Sequence, residues 1–116
     1  MSLYLTPIDV GDVTILEAAG RITLGENVRQ LRTQILDLTT SGRKNLILNL
    51  GDINYIDSTG IGELVWAYTT VSRHGGTLKL LKLTKRVQDL LQITKLLTVF
   101  EVFEDRDQAL KSFAKG

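Results

Sequence analysis

A chain of 116 residues, 43% hydrophobic and 23% charged, is large enough to enclose one hydrophobic core and too short for two. Fourteen basic residues against thirteen acidic ones leave a net charge of +1, without the concentrated positive surface that binds a phosphate backbone, so no nucleic acid partner is expected. Cysteine is absent, Met1 to Ile8 lack a secretion signal, and no apolar run nears the eighteen or so residues of a membrane span, so disulfides, thiolate chemistry and membrane insertion are excluded and a cytoplasmic protein is expected.

Leu3 to Asp9 and Val13 to Ala18 read as strands, and Val10-Gly11-Asp12 between them suggests an antiparallel hairpin. After Gly20, Leu24, Val28, Leu31, Ile35 and Leu38 fall three or four apart and predict a helix stripe that ends at Ser41-Gly42. Asn45 to Leu50 is a short apolar run of the kind buried on both faces, and should be the central strand. Gly51 to Ser58 then leads into a second helix with Ile61, Leu64, Val65, Tyr68 and Ser72 on one face, closed by His74-Gly75-Gly76. Thr77 to Leu83 alternates like a strand. Thr84 is placed to cap a helix carrying Val87, Leu90 and Leu91. Val99 to Phe103 supplies a last strand, and Asp105 to Phe113 a last helix. The alternation predicts a single α/β domain over residues 1–116, with a mixed, mostly parallel sheet, an N-terminal antiparallel hairpin and about four helices.

In such sheets the working loops lie beyond the carboxyl ends of the parallel strands, and Gly51 to Gly62 is expected there. Asp57, Ser58 and Thr59 can each cap a helix, and Gly60 and Gly62 leave its first turn open to approach. A hydroxyl at an open helix start suits phosphorylation, because the dipole favours the added negative charge. Asp-Ser-Thr before a helix is equally ordinary capping chemistry, so the residues alone leave both readings open. Two glycines in a first turn cost about 0.5–1 kcal/mol each relative to alanine, which favours a surface that something must approach.

Catalytic readings of the same residues fail. Asp57-Ser58-Thr59-Gly60 is one residue too long for the Asp-Thr/Ser-Gly of an aspartic protease, and its surroundings are α/β. Ser58 lacks the Gly-x-Ser-x-Gly frame, and the only histidine, His74, lies roughly 20 Å away at 1.5 Å per helical residue. There is no Gly-x-x-x-x-Gly-Lys, Gly60-Ile61-Gly62 lacks the third glycine of a dinucleotide fingerprint, and the carboxylates are scattered. The chain is therefore expected not to be an enzyme and to need no cofactor or metal. Trp66 falls about 140° from Ile61 around the second helix, off its apolar stripe, and is expected to be partly exposed and open to a partner.

Asn45 to Leu50, Ile53, the block Tyr55-Ile56-Asp57-Ser58-Thr59-Gly60-Ile61-Gly62 and Gly75-Gly76 together resemble the STAS domain, and among its members the free-standing anti-sigma factor antagonists of bacteria. Gly20-Arg21-Ile22, the run from Val87 to Leu97, and Phe103 with Ala109-Leu110 extend the likeness over nearly the whole chain. The resemblance implies a phosphoprotein in a partner switch that regulates transcription. In the family, the serine after the aspartate, here Ser58, is phosphorylated by a cognate anti-sigma factor acting as a serine kinase, and a PP2C-type phosphatase removes the phosphate. The unphosphorylated form holds the anti-sigma factor and frees the sigma factor. Asn54, Tyr55, Asp57, Ser58, Thr59, Gly60, Ile61, Gly62 and Trp66 would make up the partner-binding surface. One departure concerns partner choice: many antagonists carry an acidic residue where this chain has Thr23, and the path into the first helix is one residue longer here. The same domain also serves as a scaffold subunit in stress-signalling and lipid-transport complexes, which is the alternative function.

Overall fold

The computed structural model describes residues 2–114. Five strands form one sheet in the order β1-β2-β3-β4-β5: β1 Leu3–Val10, β2 Val13–Ile22, β3 Asn45–Ile56, β4 Thr77–Leu81 and β5 Val102–Phe103. The first pair is antiparallel, with Leu3 opposite Gly20 and Val10 opposite Val13, and the remaining pairs are parallel. Gly11 has φ of 63°, the positive value that the first position of a two-residue hairpin loop requires and that only glycine adopts without strain.

Four helices complete the fold: α1 Glu26–Thr40, α2 Ser58–Arg73, α3 Lys85–Ile93 and α4 Arg106–Lys111. α1, α2 and α3 cover one face, where Leu31, Ile35, Leu64, Ala67, Val71, Val87 and Leu91 pack on Leu16, Leu48, Ile53 and Ile56 of the sheet. α4 covers part of the other face, setting Ala109 against Val13, Ile15, Ile47 and Leu81. The expected class and hairpin are both present.

Several boundaries move. β3 continues through Gly51 to Ile56, where a loop was expected, because two register irregularities against β2 break the simple alternation. They let Ile53 and Ile56, three apart, both reach the core, and a period-two reading stops at Leu50. α1 starts two residues later than its apolar stripe suggests: Gly25 is its N-cap, so Leu24 lies in the preceding loop and is 74% exposed. On α2 the buried position near the C-terminus is Val71, and Ser72 faces solvent. β4 ends at Leu81, and of the expected last strand Val99 closes a 3-10 turn over Leu97–Val99 while Phe100 and Glu101 are irregular, leaving β5 only Val102–Phe103.

Candidate functional site

β3 ends by driving Ile56 into the core, and Asp57 then turns the chain into α2 with extended backbone, φ −104° and ψ −177°. Its two carboxylate oxygens have separate tasks. Oδ1 accepts from Gly60 N at 2.8 Å, capping the helix, and Oδ2 accepts from Leu24 N at 3.0 Å, fixing the loop between β2 and α1. The backbone adds Asp57 N to Ile22 O at 3.3 Å and Ile61 N to Asp57 O at 3.0 Å. One aspartate thus holds the ends of β2 and β3 and the starts of α1 and α2 in a single corner.

With the cap supplied by Asp57, the hydroxyls of Ser58 and Thr59 have no capping task. Both residues are exposed at the first two positions of α2, and among the described residues neither side chain makes a hydrogen bond. The first turn itself contains no acidic side chain, and the negative charge that offsets the positive end of α2 comes from the Asp57 carboxylate at the cap. At the opposite end of α2, His74 is the C-cap and its Nδ1 lies 2.8 Å from Thr70 O. No group of three or more metal-ligating side chains occurs among the described residues.

The two glycines differ in a way their spacing does not show. Gly60 is buried: an added Cβ would fall on the Ile22 carbonyl oxygen and lie 2.6 Å from Ile56 Cγ1, so its missing side chain lets α2 sit down on the sheet. Gly62 is exposed, with nothing within 4 Å of an added Cβ. The expectation that both glycines open the surface therefore applies to Gly62 alone. Ile61 is 2% exposed and belongs to the core, so its side chain is not available to a partner. Asn54 is exposed and Tyr55 half-buried.

Trp66 is half-buried, as its helical angle predicts, but one face of its ring is covered by Arg32 of α1, whose guanidinium carbon lies 4.3 Å from the ring centroid. The same guanidinium holds the buried Glu63 carboxylate through two hydrogen bonds of 2.8 and 3.0 Å. Trp66 also stands eight residues, about 12 Å, along α2 from Ser58. It helps build the seam between α1 and α2 and lies outside the corner formed by Asp57. Leu24 is the residue that sequence reading misplaced: it is an exposed leucine tied by its own N–H to the carboxylate of Asp57, the residue before Ser58. The signal was Gly25-Glu26, a helix start that leaves Leu24 outside.

The family model for the STAS domain matches residues 5–109, and the chain belongs to that family. An anti-sigma-B factor antagonist of Bacillus subtilis is 36% identical over 72 residues, which cover 62% of this chain and 65%, slightly under two-thirds, of that protein. A candidate anti-sigma factor antagonist of Bordetella bronchiseptica is 26% identical over 113 residues, 97% of this chain and 95% of its own length. Among solved structures, a candidate anti-sigma factor antagonist of Thermotoga maritima superposes with a TM-score of 0.87 over 96% of this chain and 95% of that one, at 23% identity, and shares the fold.

Proposed function

We propose that this chain is an anti-sigma factor antagonist: unphosphorylated, it binds a cognate anti-sigma factor with serine kinase activity in the cytoplasm, and phosphorylation of Ser58 releases that partner. A PP2C-type phosphatase restores the binding form. The chain is the substrate of these enzymes and performs no catalysis itself. The names of relatives that align over most of the chain support the class of function. The site reading rests on one observation: Asp57 alone caps α2, leaving the Ser58 hydroxyl exposed and without a hydrogen bond at the helix start.

The switch follows from electrostatics. A phosphoserine carries about −1.5 to −2 charges at neutral pH. Against a docked protein those charges would have to be desolvated, and Asp57 next to them adds repulsion. Within the free chain, the same charge at the first position of α2 is favoured by the dipole, so the modified form stays folded. The exposed Leu24 would give the partner an apolar anchor at this corner, where many antagonists present an acidic residue close by.

Incubation with ATP and the cognate kinase should place one phosphate on Ser58, seen by mass spectrometry, and Ser58→Ala should lose it; a label that persists in the Ala variant defeats the assignment. In calorimetry Ser58→Asp should weaken the anti-sigma factor by at least about tenfold. Unchanged affinity would remove the switch.

A further inference from the structure

Two guanidiniums converge on Tyr55 at the end of β3. The Cζ atom of Arg21 lies 4.6 Å from the ring centroid and that of Arg86 lies 4.0 Å from it. Arg21 comes from the end of β2, directly beside Tyr55 in the parallel register, and Arg86 from the first turn of α3. The two cations are therefore no more than about 9 Å apart, close to a Debye length at physiological salt, so solvent ions screen their repulsion only in part.

Among the described residues, no carboxylate forms an ion pair with either arginine. The acids nearest in sequence are occupied or apart: Asp57 accepts from Gly60 N and Leu24 N, Asp89 pairs with Lys85 at 3.4 Å, Glu17 accepts from Asn49 Nδ2, and Asp52 is exposed without an ion pair. Arg21 Nε is also shielded from solvent and lacks a hydrogen-bond partner, a condition that folded proteins avoid unless something else completes it. The first turn of α3 has no acidic residue to offset its positive end.

We infer that Arg21, Tyr55 and Arg86 form a binding site for a phosphate group. Contact with Tyr55 orients each planar fork and leaves N–H edges free to donate. A phosphate near −2 balances both arginines and offers several acceptor oxygens to their paired donors, whereas a single carboxylate balances only one. The site is built from β2, β3 and α3, apart from the Ser58 hydroxyl, and its test needs neither kinase nor partner.

The unphosphorylated protein alone is titrated at constant ionic strength with inorganic phosphate and, separately, with pyrophosphate, while NMR follows the Tyr55 ring and the Arg21 Nε–H. Saturable shifts of both signals are expected. Arg86→Ala, an exposed change that leaves the core intact, should weaken phosphate by at least about fivefold, with Arg86→Lys in between. Tighter pyrophosphate would mark a diphosphate-bearing ligand as the natural source, and equal affinity a single phosphate. An absence of saturation up to about 50 mM phosphate, an Arg86→Ala variant that binds as tightly as the parent, or the same shifts with chloride would overturn the proposal.

Discussion

Gly60 and Gly62, two residues apart at the start of α2, are glycines for opposite reasons. At Gly60 an added methyl would strike the Ile22 backbone and the Ile56 side chain, so Gly60→Ala should cost at least about 2 kcal/mol by pushing α2 off the sheet. At Gly62 the space is empty and the backbone helical, so Gly62→Ala should stabilise by about 0.5–1 kcal/mol. Urea titrations of the two variants measure both, and a destabilised Gly62→Ala would contradict the geometry. Leu24 offers a second contrast, since it is exposed and held only through its backbone. Leu24→Asp should leave the melting temperature within about 2 °C while weakening the anti-sigma factor by about tenfold or more. Asp57, Ser58 and Thr59 were legible as a capped helix start. Which of them is the cap was not, because three neighbouring side chains with similar capping chemistry are separated only by where β3 delivers the chain.

Among the elements, α1 and α2 are joined by a polar seam that no helical pattern reveals. Glu63 is buried on α2 and its carboxylate is satisfied by Arg32 of α1, thirty-one residues away, with the guanidinium resting on Trp66. Arg32→Ala would leave a buried carboxylate without its donors and should cost about 1–3 kcal/mol, the lower end applying if water reaches Glu63. Because Trp66 is the only tryptophan, its fluorescence reports this seam alone, and the variant should shift emission to the red. An unshifted spectrum with parental stability would show that the pair contributes nothing. Helix identities were readable from three-and-four spacing, whereas the length of β3 was not, since its second half alternates only once the irregular register with β2 is known.

At the scale of the molecule, the end of the sheet opposite the Ser58 corner is tied by charge. Arg43, between α1 and β3, donates to both Asp9 carboxylate oxygens at 3.1 and 2.8 Å, and Thr14 donates to Oδ1 at 2.6 Å. Hydrogen bonds from Arg43 and then Thr14 hold the Asp9 carboxyl at about 2, below the ordinary 3.8. A carboxyl whose folded value is depressed stabilises the fold above its unfolded value, and that contribution fades as pH falls through the folded one. The melting temperature should therefore drop between about pH 4 and pH 2, less steeply in Asp9→Asn, and high salt should shrink the difference because the pair is exposed. A slope unaltered in the variant would remove Asp9 from the account. The amino-acid order alone determined the α/β class, the hairpin, the helix faces and the block around Ser58, because these rest on local periodicity and turn chemistry. Tertiary structure decided which glycine is packing and which is open, that Asp57 joins four elements, that Leu24 faces solvent and that two arginines meet at Tyr55. Each of those depends on residues far apart in the chain being brought together by strand register and helix docking, which periodicity within one segment does not encode.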